Sequence, residues 1–270
     1  MTETAKTLDT TAAEAYERLL VPTLTGPWAQ EAVELAAPRP GEQVLDVACG
    51  TGIAVRLVAE RVAPGGRVAG LDIDPAMIAV ARSIVTTPPG VTLDWHCASA
   101  LDMPFGNATF DLAMCLQGLQ FFPDRAAGLA EIRRVLKPTG QLVAVVWHTL
   151  EHCKGQHALV QALERRGADA AAGRLPFSLG EPDTLRALVG EAGFRNVEVR
   201  TATKTARFAS ARHFIDALAT GGPSTRHAVA KVPEHERGAL YDEVSAALRP
   251  YEDKDGVALP VAILMVVARP

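Results

Sequence analysis

Val44-Leu45-Asp46-Val47-Ala48-Cys49-Gly50-Thr51-Gly52 decides how this chain folds. An apolar strand with an embedded aspartate runs directly into small residues, and residues 53–63 then carry the apolar spacing of an amphipathic helix. Twenty residues past Gly52, a second apolar run, Val68-Ala69-Gly70-Leu71-Asp72, again ends on an acid. Strand, glycine loop, helix and strand open a parallel sheet, since parallel strands joined through helices cross over right-handed and bury both faces.

The alternation continues outward. Asp74 is placed to cap a helix with Pro75 at its first position and Met77, Ile78 and Ala81 facing inward. Residues 91–96 read as a third strand, 110–116 as a fourth and 141–147 as a fifth. A helix over 124–136 precedes the fifth and stops at Lys137-Pro138-Thr139-Gly140. Upstream, residues 13–37 are helical, with Tyr16, Leu19 and Leu20, then Trp28, Ala32, Val33 and Leu35 on the apolar face. Pro22 and Gly26-Pro27 predict a split there into two helices. Residues 1–12 are polar and Thr-rich and are expected to be loose. After Trp147 the order weakens: residues 148–182 show no clear period, followed by a helix at 183–192, a strand at 197–203, a helix at 233–248 and a final strand at 261–268.

Composition narrows the classes. The chain has 270 residues, 48% hydrophobic and 21% charged, which is that of an ordinary globular protein. Lys plus Arg number 27 against 31 Asp plus Glu, a net charge of −4. A mildly acidic surface gives no general attraction for phosphate backbones, so nucleic acid is not the expected partner. The longest apolar run, 261–268, falls short of the roughly 20 residues that cross a bilayer, so no stable membrane insertion is expected. The amino terminus lacks the basic and apolar regions of a signal peptide. Cys49, Cys97, Cys115 and Cys153 lie far apart without a Cys-x-x-Cys pair, which fits a reducing, cytoplasmic setting. His213, His227 and His235 have no ligand-like spacing, and no metal site is expected.

Ligands of open parallel sheets sit beyond the carboxyl ends of the strands. A glycine loop lets a ligand approach the backbone, and an acid ending the next strand accepts hydrogen bonds from both hydroxyls of a ribose. The constellation therefore indicates a nucleoside-containing cofactor, with a tight turn and a surface aspartate as the plainer alternative. A dinucleotide fits poorly: Gly50-Thr51-Gly52-Ile53-Ala54-Val55 has Val at the third glycine position, and Asp46 would repel a pyrophosphate. S-adenosylmethionine has an adenosine, no phosphate, and an amino group that Asp46 would attract.

Leu45-Asp46-Val47-Ala48-Cys49-Gly50-Thr51-Gly52 resembles motif I of class I S-adenosylmethionine-dependent methyltransferases, in the form found in the ubiquinone/menaquinone biosynthesis methyltransferase-like group. Leu71-Asp72-Ile73-Asp74-Pro75-Ala76-Met77, Ala98-Ser99-Ala100-Leu101-Asp102-Met103-Pro104-Phe105, Phe110-Asp111-Leu112-Ala113, Gln117-Gly118-Leu119-Gln120-Phe121-Phe122-Pro123-Asp124 and Leu136-Lys137-Pro138-Thr139-Gly140 extend the similarity over residues 13–147. Beyond that, only Ala192-Gly193-Phe194 and the terminal strand match. The resemblance implies an α/β, Rossmann-like, doubly wound fold. Its seven-stranded, mostly parallel sheet would carry helices on both faces and end in an antiparallel strand. Residues 1–37 would form an N-terminal helical lid and 38–270 the methyltransferase domain, with a C-terminal helical insertion and with 148–182 and 204–260 as variable substrate-facing segments.

By the same resemblance, Asp46, Ala48, Gly50, Thr51 and Gly52 would surround the methionine moiety, with Asp46 serving the amino group. Asp72 would hold the ribose hydroxyls, and Ile73 and Met77 would pack on the adenine. Ser99 and Ala100 stand where the family has Asp-Ala, so a hydroxyl replaces a carboxylate toward the adenine amino group. Leu116 and Gln117 would touch the sulfonium end, and Tyr16 lies on the helix that closes over the cofactor, whose product is S-adenosylhomocysteine.

Methyl transfer is an in-line displacement on an activated sulfonium, so alignment and exclusion of water are the main requirements. A base is needed only for a hydroxyl or C–H nucleophile. His148, His152 and His157 are the candidates, with Glu151 as an orienting partner, although a loop histidine is more often simply solvated. Gln120, Phe121, Phe122 and Trp147 read equally as pocket wall or core. Arg133-Arg134 reads as a solvated face and Gly221-Gly222-Pro223 as a flexible connection. The expected partner is a small-molecule acceptor of unread identity; the oligomeric state is also unread. The rivals are a non-catalytic S-adenosylmethionine-binding protein, whose acceptor pocket would be filled, and an NAD-linked oxidoreductase.

Overall fold

The computed structural model describes residues 8–168 and 170–270. Of the stretch expected to be loose, residues 1–7 lie outside the described residues, and helix begins at Thr11. The strands are β1 (Gln43–Val47), β2 (Arg67–Asp72), β3 (Thr92–Cys97), β4 (Phe110–Leu116), β5 (Leu136–Trp147), β6 (Arg195–Phe208), β7 (Glu252–Asp253) and β8 (Gly256–Arg269). They form one sheet in the order β3-β2-β1-β4-β5-β8-β6, with the two-residue β7 paired to β8 as an eighth strand. β1 to β5 run parallel, and β8 runs antiparallel to both β5 and β6. The strand order reverses between β1 and β4, which opens a crevice at their carboxyl ends.

Period-two alternation sends neighbouring residues of each central strand to opposite faces. Leu45, Ala113 and Ala144 pack on one side with Leu129 and Ile132 of α5 (Arg125–Val135) and Leu185 and Val189 of α8 (Pro182–Glu191). Val44, Leu112 and Val143 face the other side. There they meet Trp28 and Ala32 of α2 (Gly26–Ala36), Val55 and Val58 of α3 (Ile53–Val62), and Ile78 of α4 (Pro75–Ile84). As expected, the Asp74 side chain caps α4 by accepting the Ala76 N–H.

A third cluster lies beyond the strand ends. β6 and β8, each 14 residues long, extend past the other strands. Their far halves, with Phe208, Leu259 and Val261, carry α6 (Lys154–Arg165), α9 (Ala211–Gly221), α10 (Pro223–Ala230) and α11 (Glu234–Leu248). The five-residue α7 (Ala170–Arg174) lies beside α6. The late strands are therefore an antiparallel pair joined by helices.

Three local expectations need correction. Residues 11–36 are one continuous helical stretch and not two helices. α1 (Thr11–Ala15) passes into π-helical Tyr16–Thr25 and then into α2, and the wider register accommodates Pro22, which has no N–H to donate. The Lys137-Pro138-Thr139-Gly140 turn is absorbed into β5 through a register shift opposite Phe110 and Leu112. Arg134 is not merely solvated: its guanidinium binds Glu131, the Met103 and Phe105 carbonyls and the Asn107 side chain, holding the loop before β4.

Candidate cofactor and acceptor site

The carboxyl ends of β1 and β4 bend sharply. Ala48 (φ 56°) and Gln117 (φ 60°), the residues that follow these strands, both adopt the left-handed conformation. A non-glycine residue there costs about 1–2 kcal/mol, and strain of this kind collects where a backbone is shaped for a ligand. Gly118 allows the two bends to touch, because a Cβ on it would lie 2.5 Å from that of Ala48. Gly50 (φ 54°) and Gly52 (φ 82°) continue the turn into α3. The two glycines differ in use. A Cβ on Gly50 would meet only the Tyr16 ring, at 3.9 Å, whereas one on Gly52 would strike the Trp95 ring at 2.7 Å. Gly50 thus borders open space under Tyr16, and Gly52 is a packing glycine outside the cavity lining.

Two carboxylates are sunk in this turn. Asp46 is 3% exposed and Asp72 9%. Asp72 accepts the Gly50 N–H at 2.8 Å and the Asp74 N–H at 2.9 Å, one on each oxygen. Burial pushes the Asp46 carboxyl up to about 8, and the nearby Asp72 charge adds to the rise; the Val55 N–H opposes it. Burial likewise raises Asp72, against its backbone hydrogen bonds. Among the described residues neither acid forms a salt bridge with Lys, Arg or His. A desolvated carboxyl group without a cation is the electrostatic complement of a positively charged ligand, whose charge favours the ionised form. An aminoacyl sulfonium nucleoside fits this donor set: it offers an ammonium, and hydroxyls that donate to a carboxylate.

A cavity of about 450 Å³ lies over these ends. Tyr16, Ala48, Gly50, Asp72, Ile73, Met77, Ser99, Ala100, Leu116 and Gln117 line it. Asp46 lines an adjoining recess of about 30 Å³ that Tyr16, Ala48, Gly50, Leu116 and Gln117 share. Ser99 is part-buried, its Oγ accepting the Leu101 N–H at 3.1 Å. Thr51 is buried behind the turn, where its hydroxyl donates to Glu17 at 2.5 Å. Arg56 of α3 holds the other Glu17 oxygen at 2.9 Å, so the π-helical segment is latched onto the glycine turn. Burial pushes the Tyr16 phenol, at the head of this segment, up to about 12.

The histidines lie elsewhere. His148 is buried and stacks on His152 with ring centroids 3.9 Å apart, its Nδ1 accepting the Thr149 N–H. His152 is exposed and pairs with the Thr149 hydroxyl, and His157 is half-buried on α6. None of the three lines the cavity.

Residues 45–144 match the family model described as a methyltransferase domain. The chain is 35% identical over 125 residues to a 2-phytyl-1,4-naphtoquinone methyltransferase of Synechococcus elongatus, covering 45% of this chain and 52% of that relative. It is 36% identical over 137 residues to a demethylmenaquinone methyltransferase of Symbiobacterium thermophilum, covering 49% and 55%. The chain thus spans about half the length of the curated relatives it matches. A phosphoethanolamine N-methyltransferase of Haemonchus contortus, solved with phosphomonomethylethanolamine and S-adenosylhomocysteine, shares the fold. It has a TM-score of 0.60 at 20% identity and covers 97% of this chain and 57% of its own. The Rossmann-like, mostly parallel architecture is therefore that expected from the motifs.

The other half of the cavity comes mostly from residues outside the motifs. Leu20 and Leu24 of the π-helical segment, Trp147 at the end of β5, Leu159 and Val160 of α6, Phe177, Leu218 of α9, and Ser224 and Thr225 of α10 complete it. Phe121 and Phe122 belong to this wall, while Gln120 is fully buried behind it with its Nε2 donating to Gln117. Gln156 was missed by motif reasoning. Its signal was a polar residue on the buried face of α6, in step with Leu159, Val160 and Leu163. Gly221 is not a flexible joint: a Cβ on it would lie 2.8 Å from the Tyr16 nitrogen, so it packs α9 against the latched segment.

Proposed function

We propose that this chain transfers a methyl group from S-adenosylmethionine to a small, largely apolar acceptor. The observation that carries the reading is a cavity lined by Asp72 at one end and by apolar side chains at the other, with Asp46 in an adjoining recess and neither carboxyl group ion-paired among the described residues. When bound, the cofactor supplies a sulfonium-activated methyl group. Asp46 would hold its ammonium and Asp72 its ribose hydroxyls, with Gly50, Ala48 and Thr51 shaping the turn. Ile73 and Met77 would flank the adenine near Ser99 and Ala100. Leu116 and Gln117, at the bend after β4, would sit where the two halves meet. Tyr16 and the segment it heads would cover the cofactor and exclude water.

The open space beside Gln117 and Trp147 supports an enzyme over a non-catalytic binder, whose acceptor half would be filled. In the main cavity the ionisable lining residues are Tyr16, Asp72 and Asp74, all at the cofactor end. Among the described residues, the acceptor half therefore offers alignment and desolvation and no protein base. That suits an acceptor whose nucleophile is electron-rich by its own chemistry, such as an aromatic ring of the kind named for the sequence relatives. Isothermal titration with S-adenosylmethionine and S-adenosylhomocysteine tests the reading: micromolar binding of both is expected, and no binding of either at millimolar concentration removes it.

A further inference from the structure

We infer that Gln156 is a specificity-determining residue that hydrogen-bonds one uncharged hydroxyl or carbonyl group of an otherwise apolar acceptor. The inference rests on the methyltransferase reading of the cavity. Gln156 of α6 is 7% exposed, lines the cavity together with Leu159, Val160 and Phe177, and its Oε1 is buried without a hydrogen-bond partner. A buried amide left unsatisfied costs free energy that a ligand returns by completing it. Rotation about the soft terminal torsion presents either amide atom to a ligand, so the group reads donors and acceptors alike.

A second amide stands at the junction of the two halves. Gln120 Nε2 donates to Gln117 Oε1 at 3.0 Å, which leaves Gln117 Nε2 and Gln120 Oε1 unpartnered. Exchanging N and O in both side chains preserves that outcome, since one bond between two amides leaves one polar atom of each open. Neutral amides and hydroxyls, with no charged group among the described residues of the acceptor half, select against an ionised acceptor, whose lost hydration neutral hydrogen bonds offset only in part.

The test is calorimetric titration of the protein saturated with S-adenosylhomocysteine, using 1-naphthol, 1-methylnaphthalene and 1-naphthoate as neutral polar, apolar and anionic probes of one shape. The wild-type protein is expected to bind 1-naphthol about tenfold more tightly than 1-methylnaphthalene and to bind 1-naphthoate most weakly. Gln156→Leu is expected to bring the preference to about twofold or less, with S-adenosylhomocysteine and 1-methylnaphthalene binding retained as the measure of an intact fold. Gln156→Glu, with the same shape and a charge, is expected to weaken 1-naphthoate further. The inference is overturned by a preference that survives in Gln156→Leu, by 1-naphthoate binding best, or by no probe binding to the loaded protein. Failure of S-adenosylhomocysteine itself to bind removes the underlying methyltransferase reading instead.

Discussion

The Asp72 carboxylate accepts the backbone N–H of Gly50, 22 residues earlier in the chain, at 2.8 Å. The tip of the second strand thus holds the glycine turn of the first, and the group proposed to bind ribose also fixes the loop beneath it. Asn at this position can satisfy only one of the two N–H donors, from Gly50 and Asp74, because its amide nitrogen faces the other. Asp72→Asn is expected to weaken S-adenosylhomocysteine binding about 30-fold, from roughly 2 kcal/mol of lost charge-assisted hydrogen bonding. Calorimetric titration reads the loss; unchanged affinity would overturn the ribose assignment.

Asp46 gives the site a pH dependence. Its carboxyl, raised to about 8 in the protein alone, must be ionised to hold an ammonium, so binding releases a proton. Affinity for S-adenosylmethionine is expected to rise between pH 6 and 7.5, by at most about tenfold per pH unit, and the slope should vanish in Asp46→Asn. Folding runs the opposite way. With the folded value above the unfolded one, the native state holds the extra proton, so this contribution is fully present below about pH 4 and is lost as pH rises through about 8. Thermal melts at pH 8.5 should therefore show Asp46→Asn more stable than wild type while it binds cofactor less well.

Glu17 bridges Thr51 and Arg56, with both ion-pair side chains about a quarter exposed. Partial exposure makes the pair worth only about 1 kcal/mol to folding. Its larger effect is expected on cofactor residence, because it ties the covering segment to the turn. Glu17→Gln should speed S-adenosylhomocysteine dissociation several-fold in stopped-flow displacement with only a small drop in melting temperature. An unchanged off-rate would show that the segment does not gate the site.

The two glycines of the turn should separate binding from stability. Gly52→Ala drives a methyl group into the Trp95 ring and is expected to cost about 2–3 kcal/mol, through a clash and a left-handed alanine. Gly50→Ala meets open space and should cost about 1 kcal/mol of folding while crowding the cofactor below Tyr16. Denaturant melts paired with titrations distinguish them.

His152→Ala and His157→Ala are expected to leave methyl transfer within about twofold of wild type, since neither side chain reaches the cavity. A large fall in kcat with normal cofactor binding would place a proton transfer on one of them.

The chain's own order determined the parallel half of the sheet, the glycine turn and the positions of Asp46 and Asp72. These features depend on local causes: period-two burial, residues tolerant of left-handed backbone, and helix caps such as Asp74 act within a few residues of themselves. Tertiary structure alone decided the acceptor half. Gln156, Trp147, Phe177 and Leu218 come from distant segments with no shared motif, and only the extension of β6 and β8 past their neighbours brings α6, α9 and α10 over the strand ends. It also decided which glycine packs and which borders the ligand space, and that the histidines after β5 face away. Such outcomes depend on what lies opposite a side chain, and that is fixed by packing between elements rather than by spacing within one.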